Sequence, residues 1–141
     1  MSIQSVTHAV NVRLGDDENS IVILDQTLLP NRTEYLTLTD AEAMWQAIYR
    51  LQVRGAPAIG IFAAYAMSVL ARRIAAPDFD GFYAEYTRLS AYLNSSRPTA
   101  VNLSAMLRRM DAAVLAHKAS DRAALLAALT AEAKAIHAED M

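Results

Sequence analysis

The stretch Ile61–Ala71 reads IFAAYAMSVLA and has hardly a polar side chain on any face. A helix of that composition has no side to turn toward water, so the rest of the chain must surround it. The run ends at Arg72-Arg73, carries Tyr65 and Ser68, and is slightly short for a bilayer; it reads as a buried core helix rather than a membrane span. Pro57 stands near its start, where a missing N–H costs a helix nothing.

The segments on either side follow two different periods. Before Thr39 the pattern has period 2. THAVNVRL alternates, GDDEN is a turn, SIVILD is a compact apolar strand, LLPNR is a loop and EYLTL is a short third strand. After Thr39 the period is 3.6. Thr39 as N-cap with Glu42 three residues on fits a capping box, and Met44, Ile48 and Leu51 then share a face. Pro77-Asp78 breaks the chain. Phe79, Phe82, Tyr83, Tyr86, Leu89 and Leu93 form the next stripe, Pro98 opens a helix carrying Val101, Leu107, Met110 and Val114, and Ser120 caps a final helix. The expectation is an α+β fold: an antiparallel sheet of about three strands within 1–38, then about five helices near 40–53, 57–74, 78–94, 98–117 and 120–138. Residues 1–141 read as one domain, with no repeat or long linker.

Composition narrows the function classes. Hydrophobic residues make up 54% and charged residues 20%, which separates the chain from disordered sequences. The net charge of -2 implies no bulk attraction to nucleic acid or to anionic membrane. There is no cysteine, so disulfides, thiolate zinc sites and cysteine nucleophiles are excluded within these residues, and a reducing, cytoplasmic location is expected. MSIQSVTHAV does not read as a signal peptide.

Two loops share one construction. VRGAP and SSRPT each place an arginine, Arg54 or Arg97, before a proline at the mouth of a helix. Gly55 has no side chain and lets a ligand approach the backbone. Free N–H groups at helix N-termini favour an anion, and Arg54 and Arg97 add forked donors suited to phosphate. Either arginine alone reads as a surface charge or a salt-bridge partner; the pair, each following a helix, suggests a shared sugar-phosphate rim. Asp25-Gln26-Thr27 reads as a turn or cap at a strand end, and Asn102 could bond backbone or ligand. His8, His117 and His137 have no metal-ligand spacing. His137, beside Glu139 and Asp140, reads as a solvated helix terminus, and Trp45 and the tyrosines as core packing. No nucleophile–base constellation is visible.

LDQTLLPNRTEYLTL, AIYRLQVRGAPAIGIFAAYAM and SSRPTAVNLSAMLRRM together resemble the N-terminal part of the methylthioribose-1-phosphate isomerase family. That family lies within a superfamily of aldose-phosphate isomerases related to regulatory subunits of the translation-initiation exchange factor. The resemblance spans about residues 5 to 141, and AEAKAIHAEDM is similar to the helix preceding the family's second half. It implies isomerisation of methylthioribose 1-phosphate to methylthioribulose 1-phosphate in methionine salvage, without metal or organic cofactor. It also implies substrate contacts from Arg54, Gly55, Ala56 and Arg97. Ser104-Ala105 stands where the family carries larger residues, and Arg108 where it carries an aspartate.

The resemblance further implies a Rossmann-like C-terminal domain bearing a reactive cysteine and a catalytic aspartate, with no counterpart in these residues. The expectation is a substrate-binding part that is not competent alone. It would need the missing domain or a partner chain, or self-associate through an apolar face on the 58–71 helix and the alanine-rich terminal helix. A stand-alone regulatory or assembly module, and part of a ribose-1,5-bisphosphate isomerase, are the alternatives.

Overall fold

The structure, a computed structural model, describes residues 12–139. Among the described residues three strands are followed by five helices, the α+β order that the change of period implies. Strands β1 (Val12–Leu14), β2 (Ile21–Leu24) and β3 (Tyr35–Leu38) form an antiparallel sheet in the order β1-β2-β3. Val12 pairs with Ile23 and Ile21 with Leu38, and all four side chains are buried, so the alternation places them on the core face. Residues 7–11 of the first expected strand, and His8 within them, lie outside the described residues.

The helices are α1 (Ala41–Tyr49), α2 (Ala56–Ala71), α3 (Phe79–Asn94), α4 (Val101–Ala116) and α5 (Arg122–Glu139). Helix α2 is the axis of the molecule: Ile59 to Ala71 are all buried, and it packs against every other helix and against β1 and β2. Its apolar surface is therefore covered by this chain's own elements, which overturns the expected exposed face on 58–71. Gly60 lets α4 approach closely, since a Cβ there would stand 2.9 Å from Met106 Cγ and 3.5 Å from the Asn102 carbonyl. No helix among the described residues is long and apolar enough to cross a membrane.

Several boundaries differ from expectation. The N-cap of α1 is Asp40, whose carboxylate accepts from the Ala43 N–H at 2.8 Å, and not Thr39. The N-cap of α5 is Asp121, accepting from the Ala124 N–H at 2.8 Å, and not Ser120. In both places two capping residues stand side by side, and the carboxylate is the better acceptor and also favours the helix dipole. Helix α1 stops at Tyr49, because Leu51 takes a left-handed conformation (φ 59°) and closes the helix end. Pro98 does not open α4; it sits in a turn closed by the Ala100 N–H to the Arg97 carbonyl at 2.9 Å, and α4 begins at Val101. The φ that proline imposes suits a turn as well as a helix start.

Candidate functional site

A helix leaves its first N–H groups without partners inside the helix. Asp40, Asp78 and Asp121 supply acceptors to α1, α3 and α5. Helices α2 and α4 are capped by Gly55 and Ala100, which make no side-chain cap bond. Only the next N–H groups, of Ile59 and Ser104, return to the capping carbonyls, at 2.9 and 3.2 Å. The N–H groups of Ala56, Ala58, Val101, Asn102 and Leu103 therefore precede the first bonds within their helices. Proline at position 57 removes one further donor from the set.

These two bare ends lie side by side. The α3 C-terminus is joined to the middle of α1 by the Trp45 indole N–H to the Ser95 hydroxyl at 3.0 Å, and Trp45 stacks on Tyr92 and on Tyr49 at the C-terminus of α1. The turns that follow those helices thus leave from the same end of the molecule. They enter α2 and α4 next to each other: Pro57 and Gly60 share a cavity of about 220 Å³ with Asn102, Met106, Ile136 and Glu139. The fold brings the Arg54 and Arg97 turns to one end. Arg54, Gly55 and Ala56 are exposed and Arg97 is half-buried. Neither arginine has an ion-pair partner among the described residues. Gly55 adopts φ 96°, a conformation that side chains resist, with no described residue within 4 Å of where a Cβ would stand. Arginine side chains and free helix N–H groups are the donor types suited to an anion.

Residues 52–141 match the Initiation factor 2 subunit family. The chain belongs to that family. It is 50% identical over 129 residues to methylthioribose-1-phosphate isomerase of Symbiobacterium thermophilum, covering 92% of this chain and 36% of that protein. It is 42% identical over 130 residues to a 5-deoxyribose 1-phosphate isomerase of Clostridium botulinum strain Langeland, covering 92% of this chain and 37% of that one. Among solved structures, 5-methylthioribose 1-phosphate isomerase of Pyrococcus horikoshii superposes with a TM-score of 0.83 at 28% identity, over 89% of this chain and 35% of that one. Subunit delta of the translation initiation factor eIF-2B of A. fulgidus also gives 0.83, at 31% identity, over 92% of this chain and 37% of that one. The chain spans little more than a third of the length of these family members.

Two features of this end escaped the sequence reading. His137 is buried, not solvated: its Nδ1 lies 2.6 Å from the Tyr65 hydroxyl, and burial raises the Tyr65 pKa. The signal was present in the spacing of four from Leu129 through Ala133 to His137, which continues the buried face of α5; the neighbouring acids drew the reading outward. Arg109 bonds both Glu132 (2.5 Å) and Glu139 (2.7 Å), tying α4 to the last turn of α5. Asp25 is the second feature. It caps a single 3-10 turn, Gln26–Leu28, as a strand-end cap would, and it also reaches Gln52 in the arginine loop. Trp45 is half-buried and serves the junction of α1 with α3 rather than the core alone. Among the described residues no cluster of three or more His, Cys, Asp or Glu could hold a metal ion.

Proposed function

We propose that this chain is the N-terminal, substrate-binding part of an aldose–ketose isomerase that converts 5-methylthioribose 1-phosphate to 5-methylthioribulose 1-phosphate, and that it does not turn over substrate alone. The observation that carries the reading is that two helix N-termini without side-chain caps, each following an arginine turn with no ion-pair partner among the described residues, lie on one end of the molecule. Arg54 and the N–H groups of Ala56 and Ala58 hold the substrate from one side, with Gly55 allowing close approach. Arg97 and the first turn of α4 complete the anion cradle. Moving a proton between neighbouring carbons needs a positioned acid–base group in a site closed to water. The exposed Arg54 turn supplies neither, so the acid–base chemistry belongs to the remaining length of protein, which closes over this rim.

The relatives named for 5-methylthioribose and those named for 5-deoxyribose share a 1-phosphate and differ at carbon 5. An arginine cradle reads the shared group. The identities of 50% and 48% to two methylthioribose-1-phosphate isomerases, against 42% for the deoxyribose enzyme, favour the methylthio sugar. A second reading, a regulatory or assembly module, is favoured by the TM-score of 0.83 to the eIF-2B subunit, equal to that of the isomerase. Mixing separates the two. Residues 1–141 are combined with the C-terminal remainder of the Symbiobacterium thermophilum enzyme and supplied with 5-methylthioribose 1-phosphate. Turnover in the mixture, absent from either part and lost with Arg54→Ala, is expected; turnover indifferent to Arg54 and Arg97, or none in the mixture, contradicts the isomerase reading.

A further inference from the structure

The geometry points to Asp25 as the positioning residue of the arginine turn: its buried carboxylate holds Gln52, and with it the backbone that presents Arg54, Gly55 and Ala56. The inference rests on the reading of that turn as part of a sugar-phosphate site.

Asp25 stands at the end of β2 and is only 5% exposed. Its Oδ1 accepts from the Thr27 N–H at 3.0 Å and from the Thr27 hydroxyl at 2.6 Å, while Oδ2 accepts from Gln52 Nε2 at 3.2 Å. A main-chain bond runs beside the side-chain one, from the Gln26 N–H to the Gln52 carbonyl at 3.0 Å. Both carboxylate oxygens are thus engaged, Oδ1 with Thr27 and Oδ2 with Gln52, and the Gln26 main chain joins the junction with Gln52.

The segment it holds would not hold itself. Leu51 is left-handed, a conformation that costs a branched side chain energy and persists only where the surroundings impose it. Two bonds close the end of α1, Leu51 N–H to the Ile48 carbonyl at 3.2 Å and Gln52 N–H to the Ala47 carbonyl at 2.9 Å. That pattern is commonly built on glycine, which is absent here. Val53 is buried and its N–H also reaches Ala47. Beyond it only Arg54 and Gly55 remain before α2. The Arg54 side chain therefore springs from a short bridge between two anchors, one of which is the Asp25–Gln52 contact. A residue that merely capped the 3-10 turn would not need Gln52.

Reversing the polarity of the contact tests this. Asparagine at 25 keeps the shape but can set a donor against the Gln52 donor, and glutamate at 52 sets two carboxylates face to face. In D25N/Q52E an amide on residue 25 faces a carboxylate on residue 52, and the bond is restored in reverse. Residues 1–141 are followed by amide exchange without ligand and by titration with 5-methylthioribose 1-phosphate. D25N is expected to speed exchange of the Gln52 and Val53 amides, both bonded to the Ala47 carbonyl, and to weaken binding, each about tenfold. Q52E should be at least as severe, and D25N/Q52E should return both quantities toward wild type. The Leu107 and Met110 amides of α4 stay protected throughout; if D25N unprotects them too, Q52A carries the same comparison. Unchanged loop exchange in both D25N and Q52E, or no recovery in the reversed pair, overturns the positioning role. If the wild-type chain does not bind the sugar phosphate, the site reading fails, and the exchange measurements alone decide the role of Asp25.

Discussion

The two ends of the helical bundle are built on opposite principles. At one end α1, α3 and α5 begin, each with an aspartate that satisfies its own helix, and Glu18 ties the sheet to that half through Arg72 and Lys134. At the other end α2 and α4 begin, with glycine and alanine where those aspartates would be and with two arginines that no carboxylate among the described residues pairs. The first end uses its helix dipoles for stability. The second leaves donors and positive charge unspent, an arrangement that costs stability unless something outside the polypeptide completes it. A carboxylate cap and a bound phosphate satisfy the same N–H groups, so a helix start can serve one or the other.

The two ends should differ most at the arginines. The double substitution Arg54→Ala/Arg97→Ala should lower affinity for 5-methylthioribose 1-phosphate about a hundredfold by titration calorimetry, with little change in melting temperature, since Arg54 is exposed and Arg97 only half-buried. Gly60→Val tests whether the bare ends must lie side by side. The added side chain meets Met106 and should cost about 2 kcal/mol in denaturant unfolding while also weakening binding, as α2 and α4 are pushed apart.

Exchanging caps between the ends sharpens the contrast further. Ala100→Asp gives α4 the cap it lacks; stability should rise by about 0.5 to 1 kcal/mol while sugar-phosphate affinity falls about tenfold, because the cap occupies and repels the anion site. Asp78→Ala should do the reverse at the far end, losing about 1 kcal/mol with affinity unchanged. The smallest effect is a pH dependence. Lys134 hydrogen bonding lowers the Glu18 pKa and Arg109 that of Glu139. A carboxylate with a depressed native pKa contributes stability fully above its unfolded value of about 4.5, lost as pH falls through the lower folded value. Acid titration of Glu18→Gln should show a shallower loss than wild type below that pH.

Most of this contrast can be traced to the residues, and where it cannot the reason is physical. Helix α2 was legible because a run apolar on all sides admits only a central place. The arginine turns were legible as a repeated pattern. That they could share an end followed from each turn succeeding a helix; the contacts that fix the packing, such as Trp45 with Ser95, join residues too distant in sequence to leave a pattern. Thr39-Asp40 and Ser120-Asp121 each offer two caps, and sequence spacing does not weigh a carboxylate against a hydroxyl. Leu51 hid the end of α1, since a left-handed leucine has no signature of the kind glycine provides. The role of Asp25 toward Gln52 joins residues 27 apart and leaves no local pattern to read.

Whether the bare starts of α2 and α4 are kept for a sugar phosphate is decided by titrating isotopically labelled residues 1–141 with 5-methylthioribose 1-phosphate and following backbone amide chemical shifts. The largest shifts are expected at Ala56, Ala58, Val101, Asn102 and Leu103, saturating together with one dissociation constant. Largest shifts in the aspartate-capped first turns of α1, α3 and α5, or no saturable shift at the α2 and α4 starts, would contradict that role.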